Sequence, residues 1–514
     1  MTPFTDAVQQ PPVAAPDAPG HYTLTAKLGV HQFYSQWPAV PSLGYSTANA
    51  AVSYLGPTIA TKKGTPVDVK LVNALPANTD MFGFGEPNND NDIVMHRHGG
   101  LQTPANDGIP GQEILPGQSR TNHYPNNQAA SLLWYHDHAD SVTSYRVYEG
   151  LAGFMPMTDN IEPLLNLPSG TFAKAFVLQD KTFNADGSMC YTHADPEFFG
   201  DLPVINGTVA PYQQVAPRRY SFTFINGSDS RFFHLSLTQV SGATAPAPKM
   251  TVVEGDSGYL LQPAAVSDLL IAPGERYKVV VDFTGHASQS WVLANDAAVP
   301  LPDGDGGDDI PQLMKFVVDQ PLTSPDRSSV PRLIPETNNL IPPALSLLTA
   351  RLRTVTAGEI APGMPLLGDA TALREFTDPA TETPQLGSTE AWAMRNYSPD
   401  THPIHEHMVE LRLVGRWPAE FDDHGKLQSV GAFQPPGAFE SGPKDTFVSP
   451  KNAITVWVGT YNIAGTSVWH CHILSHEDAF MMEMMRPLVV GSAPQTQLPR
   501  VLTMARLDLL VRQP

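Results

Sequence analysis

The sequence predicts an all-β protein of three packed sandwich domains, and three observations carry that expectation. Short segments of alternating polar and apolar residues recur along the chain, as half-buried strands require. Among 514 residues there are 50 Pro and 39 Gly; proline stands near twice its usual share of roughly 5%, which leaves little room for long helices. Two proline-bearing connections, 160–170 and 319–343, cut the chain into pieces of similar size.

Residues 1–20 hold five prolines, only two charges (Asp6 and Asp17) and no periodicity, so they are expected to be a flexible lead-in. The first domain then spans 21–160, with strands at 22–28 and 67–72. The second spans 171–318, with strands at 220–225 and 277–283. The third spans 344–492 and includes a strand at 453–458. A helix is expected over 344–355, where leucines recur at 345, 347, 348 and 352, as a connector docked on the third domain. The tail, 493–514, sets Leu, Met and Val among Arg500, Arg506 and Arg512 and is expected to dock on its own body as a short helix or an extended segment. The acidic loop 303–309 is read as solvated, because Met314 stands where a calcium loop needs its bidentate Glu.

Charge and cysteine content narrow the function. With 31 Lys+Arg against 51 Asp+Glu the formal charge is −20, a surface that repels phosphate backbones and argues against nucleic-acid binding. No segment approaches the roughly 18–20 apolar residues of a membrane span. The first basic residue is Lys27, so no charged region leads an apolar one. A soluble chain is expected; cytoplasmic, spore-associated and, with a signal removed, extracytoplasmic placement all fit. Two cysteines, Cys190 and Cys471, allow at most one disulfide.

The histidines carry the chemistry. Random placement of 17 His among 514 positions would give roughly 0.6 His-x-His pairs by template counting. There are four: His96/His98, His136/His138, His405/His407 and His470/His472. Alternate strand residues share a face, so each pair can offer two imidazoles to one site. Eight ring nitrogens exceed the three or four protein ligands of a single ion, so a cluster of ions is expected. Between His470 and His472, the same alternation turns Cys471 to the opposite face. A thiolate, two imidazoles and a weak thioether form the blue-copper donor set, which here would be Cys471, His402, His476 and Met481.

At these residues the sequence resembles the multicopper oxidases. The stretches 401–407 (THPIHEH) and 469–482 (WHCHILSHEDAFMM) are similar to the family's carboxy-terminal copper signatures, and 96–100 (HRHGG) and 134–138 (WYHDH) to its amino-terminal ones. The stretches 148–153, 225–231 and 273–277 extend the likeness over nearly the whole chain, with bacterial spore-coat laccases and bilirubin oxidases looking most alike. The resemblance implies three cupredoxin-like Greek-key domains and four copper ions. It implies a type 1 copper on His402, Cys471, His476 and Met481 in the third domain, a type 2 copper on His96 and His405, and a type 3 pair on His98, His136, His138, His407, His470 and His472. Electrons from a small reducing substrate would enter beside His476 and pass through Cys471, and O2 would become water at the cluster between domains one and three. Asp107 and Glu477 match carboxylates that the family uses to supply protons. With Cys471 a ligand, Cys190 has no partner and no disulfide is expected; the histidines at 21, 31, 123, 193, 234, 286 and 424 lack ligand spacing and are read as structural or surface residues.

A laccase-like oxidase of phenols, aromatic amines or bilins is the first reading, and a metallo-oxidase of Cu(I), Fe(II) or Mn(II) the second; it would want a soft or acidic docking site beside the type 1 position. A structural protein on the same fold would be expected to have lost ligands, and every ligand position here is filled. The expected partners are a small reductant and O2, with no nucleic acid, no membrane span and a monomeric chain. Arg97 and Glu406 depart from the family's apolar residues at those places. Strand alternation turns both away from the cluster, so each is expected to find its own partners rather than bridge to the other.

Overall fold

The computed structural model describes residues 1–85, 90–192, 197–240, 246–304, 306–334, 347–422, 424–478, 484–494 and 501–513. Strands dominate it. The alternation read in the sequence has its physical counterpart in Val67–Asn73, where Val67, Val69 and Leu71 enter the core while Asp68 and Lys70 face solvent. A repeated opening marks three copies of one fold. His21–His31 pairs antiparallel with Val40–Thr47 and parallel with Val67–Asn73. Ala173–Phe183 pairs antiparallel with Leu202–Ile205 and parallel with Arg219–Asn226. Arg351–Ala361 pairs antiparallel with Met364–Asp369 and parallel with Thr389–Asn396.

Each copy closes over its own apolar centre. In the second, Phe176, Phe222, Phe224 and Phe316 fill the space between sheets, with the Phe222 and Phe316 rings stacked 5.0 Å apart. In the third, Trp392, Trp457, Trp469 and Phe447 do so. The small sheet Met95–His98, Trp134–Asp137 and Ala152–Phe154 of the first copy faces the sheet of the third that holds Thr446–Ser449, His402–Glu406 and Gly465–Cys471.

Two local expectations are overturned. The helix expected over 344–355 is a single 3-10 turn, Leu347–Thr349, followed by a strand from Arg351; 344–346 lie outside the described residues. The leucine spacing mimicked a helix, but Thr354, Val355 and Thr356 are β-branched, and pairing with Thr389–Asn396 decides the conformation. The lead-in is not free: the Phe4 and Val8 amides donate to Ala210 and Tyr212, and Ala14 and Thr58 bond through Thr58 and Pro12 carbonyls, laying residues 4–14 across the first two domains. Proline-rich chain without periodicity can still add bridges to an exposed edge. The tail forms Met504–Val511, capped by Thr503 and docked through Leu507 and Val511 beside Trp417. Eight residues are too few for a stable isolated helix. Its Leu507 contact, on the order of 1.5–3 kcal/mol, the bond from Trp417 Nε1 to Asp508 (2.8 Å) and those from Arg512 to the Val430 and Gly431 carbonyls help to hold it.

Candidate metal centre

Register places the imidazoles. His96 lies opposite His136 across one ladder, and His405 opposite His470 across another. The two ladders meet face to face, so that His96 stacks on His407 at 3.9 Å and His98 on His405 at 3.7 Å between ring centroids. All eight rings are buried. The ring nitrogens come together in overlapping trios, among them His96/His98/His136, His96/His405/His407 and His138/His407/His470.

The orientation of seven of the eight rings is fixed from behind by an oxygen. His96 Nδ1 donates to the Asp107 carbonyl (2.7 Å), His136 Nδ1 to that of Asp137 (2.8 Å), His405 Nδ1 to that of Asp445 (2.9 Å) and His470 Nδ1 to that of Cys471 (2.9 Å). His407 Nδ1 donates to Asp107 Oδ2 (2.9 Å), while Glu477 reaches His138 Nδ1 at 2.8 Å and His470 Nδ1 at 3.1 Å. An oxygen at Nδ1 puts the proton there and leaves the Nε2 lone pair for a metal. His96, His136, His138 and His405 each leave that nitrogen buried without a hydrogen bond, and the Nε2 atoms of His407 and His470 face each other at 3.0 Å. His98 is turned the other way: its Nε2 meets Asp445 Oδ1 (3.0 Å) and its Nδ1 faces His472 Nε2 (3.1 Å). Burial pushes the pKa of His96, His98, His136, His407 and His472 well below the ordinary value and those of His402 and His405 to about 3, which keeps them in the neutral, ligating form. Orphaned lone pairs converging in a buried interior fit metal ions and little else.

Behind Cys471 lies the second site. Its Sγ is 3.5 Å from His402 Nδ1 and 3.7 Å from His476 Nδ1, all three side chains buried, with the Ile473 amide donating to the sulfur. Ser398 Oγ fixes the far nitrogen of His402 at 2.7 Å. Burial pushes the Cys471 thiol pKa up, so a cation is what would hold it as thiolate. Met481 lies outside the described residues.

Asp107 and Glu477 both sit against cluster imidazoles. Burial raises Asp107 to about 7, opposed by a bond from Gln102 Nε2 (2.7 Å). Burial would also raise Glu477, yet His138 and His470 hold it well below its ordinary value. Two residues that the sequence left without a role complete the shell. Asp445, which meets His98, is gripped by both terminal nitrogens of Arg276 at 2.6 Å and by Ser257 Oγ at 2.9 Å, and Arg276 holds its carboxyl well below the usual range against the effect of burial. Thus Arg276 and Ser257 of the second domain brace the carboxylate behind the cluster. Arg276 lies inside the 273–277 motif; nothing in the residues around Asp445 marked it out.

Arg97 and Glu406 behave as alternation requires. Arg97 donates to Asn126 Oδ1 (2.8 Å) and lies over the Tyr124 ring, while Glu406 accepts from Trp457 Nε1 and from Tyr461 OH (2.9 Å) in the third domain. Burial raises Glu406 to about 8. Both cysteines are unpaired.

Comparison with known proteins agrees with this geometry. Multicopper oxidase family profiles match residues 86–161, 194–305 and 348–492. A laccase of Bacillus subtilis is 32% identical over 94% of this chain and 98% of its own length; a bilirubin oxidase of Albifimbria verrucaria is 30% identical over 91% and 77%. The crystal structure of a multicopper oxidase from Aquifex aeolicus superposes with a TM-score of 0.76 at 22% identity, covering 94% of this chain and 99% of that one. With three cupredoxin-like domains, two donor clusters suited to copper and relatives of this closeness along nearly its full length, the chain belongs to the multicopper oxidases and is an oxidoreductase whose cofactor is copper.

Proposed function

We propose that the chain is a laccase-like oxidase that takes single electrons from phenols, aromatic amines or bilins and passes them to O2. The observation that carries this reading is the backbone link from Cys471 to His470 and His472, which joins the sulfur site to two rings of the eight-histidine cluster within three residues. In this reading His402, Cys471, His476 and Met481 hold the type 1 copper, His96 and His405 the type 2 copper, and His98, His136, His472 with His138, His407, His470 the type 3 pair. Copper bound there would supply one-electron transfer and the four-electron reduction of O2 to two waters. The protein's own part is to exclude water, to hold the imidazoles in fixed orientations and to keep protons at hand. Asp107 Oδ2 and the Glu477 oxygens lie one hydrogen bond behind the ligands His407, His138 and His470, where they can accept a proton from the outside and hand it inward. The laccase and bilirubin oxidase relatives support the choice of substrates.

One contact favours a second reading, oxidation of a metal ion. Glu197, from the second domain, brings Oε1 to 3.7 Å from His476 Nε2, the nitrogen facing away from the sulfur, with Asp400 and Asp229 near enough to add to the effect of burial in raising its pKa to about 8. A carboxylate at that place could seat a cation beside the electron entry. Steady-state rates with a phenol, a bilin and Cu(I), Fe(II) and Mn(II), measured for the native enzyme and Glu197→Gln, decide between the two. Laccase chemistry requires the organic substrates to be the faster ones and to survive the substitution; selective loss of a fast metal-ion activity would establish the second reading instead.

A further inference from the structure

The exposed face of the first domain carries a group of ligand-type side chains that sequence spacing conceals. His21, Asp68 and His123 are separated by 47 and 55 positions in the chain, yet they stand in one row across three adjacent strands. His21 pairs with Asp68 in the parallel ladder, and Asp68 with His123 in the antiparallel one. All three lie on the solvent face, since their neighbours Val67, Val69, Asn122 and Tyr124 are the buried members of the alternation. Both imidazoles present the same nitrogen to the one carboxylate: His21 Nδ1 lies 3.2 Å from Asp68 Oδ2 and His123 Nδ1 2.6 Å from Asp68 Oδ1.

We propose that His21, Asp68 and His123 form a binding site for a borderline divalent transition ion, zinc(II) or copper(II). Metal–nitrogen and metal–oxygen bonds of about 2.0–2.2 Å in tetrahedral geometry set neighbouring ligand atoms roughly 3.3 Å apart. The His21 contact already has that spacing. His123 needs to withdraw by roughly 0.7 Å, which its exposed side chain can do by rotating. Two imidazoles and a carboxylate leave the fourth position to water, and the net charge of −20 favours a cation at the surface.

A contrasting cluster shows why convergence matters. His234 also contacts two carboxylates, but it uses opposite ring nitrogens, Nδ1 to Asp296 at 2.6 Å and Nε2 to Asp268 at 3.1 Å. Those oxygens lie on opposite sides of the ring and cannot share an ion with it. At Asp68 both rings meet the two oxygens of a single carboxylate through the same nitrogen. The backbone is also firm there. His21 is set by a tight turn in which its amide donates to the Ala18 carbonyl and its carbonyl accepts from Asp17, and the His123 amide donates to Asn106 Oδ1. A bound ion would therefore tie together three strands of the first domain at the point where the lead-in enters the sheet.

The test uses the copper-loaded enzyme without an affinity tag. Zinc chloride titrated into it by calorimetry should show one saturable equivalent per chain, retained with a large excess of Mg(II), which prefers oxygen ligands. His21→Ala or His123→Ala should weaken that equivalent roughly tenfold or more, Asp68→Asn should weaken it as well, and all three should leave turnover without added zinc unchanged. Copper(II) should bind the same site more tightly than zinc. Zinc should also raise the thermal midpoint of the native enzyme and not that of the His21→Ala/His123→Ala double variant. No saturable zinc equivalent in the native enzyme, or an equivalent that persists unweakened in the double variant, overturns the proposal.

Discussion

The two donor clusters are built on opposite principles. The sulfur site draws His402, Cys471 and His476 from one domain, two of them within six residues of chain. The eight-histidine cluster takes half its rings from the first domain and half from the third, and the second adds Arg276 and Ser257 behind Asp445. The described donors of the first site all lie in the third domain; those of the second come together only when the first and third domains dock. A local site should therefore fail by losing a ligand, and an interdomain site by losing a brace that touches no metal.

The largest effect expected is at the local site. Cys471→Ser should abolish both the blue absorption and turnover while copper analysis and electron paramagnetic resonance still find the cluster loaded; a variant that stays blue would break the assignment. Next come the two carboxylates proposed to carry protons. Asp107→Asn and Glu477→Gln should each slow reoxidation of reduced enzyme by O2 roughly 10²-fold or more, the scale of general acid–base catalysis, with little change in reduction by substrate. Stopped-flow measurement of the two half-reactions checks this, and equal slowing of both would point to general damage.

The sharpest test of the contrast is Arg276→Met. It leaves Asp445 buried without its guanidinium, a change that costs about 3–5 kcal/mol when a buried pair loses one partner. Cluster copper should fall while the blue band remains. If both sites empty together, the clusters are not independent and the comparison fails. A smaller effect is expected for Met481→Leu, which should raise the type 1 potential in a redox titration by removing a weak thioether donor; an unchanged potential would remove Met481 from the axial position. Smallest of all, a double-mutant cycle on Arg97 and Glu406 should give a coupling below ~1 kcal/mol, because one is held by Asn126 and Tyr124 and the other by Trp457 and Tyr461.

Much of this protein was legible in its residues because the relevant physics is local. Strand alternation has a period of two, so four His-x-His pairs were enough to expect eight imidazoles on shared faces, Cys471 turned from His470 and His472, and Arg97 and Glu406 turned from the cluster. Where the pattern was ambiguous over a few residues, pairing decided. Leucines at 347, 348 and 352 suited a helix until the strand Thr389–Asn396 claimed residues 351–357. The lead-in offered no period to read and was ordered by hydrogen bonds to chain some two hundred positions away.

What tertiary structure alone decided is everything that depends on residues distant in sequence meeting in space. The sequence by itself determined the donor types, their pairing along each strand and the β architecture, since each follows from neighbours one to four positions apart. It held no trace of Asp445 reaching His98 under the grip of Arg276, of Glu197 approaching His476 from another domain, or of His21 and His123 closing on Asp68 across three strands. Those contacts arise from sheet register and domain docking, which are fixed by the burial of whole apolar faces rather than by any motif around the residues that meet.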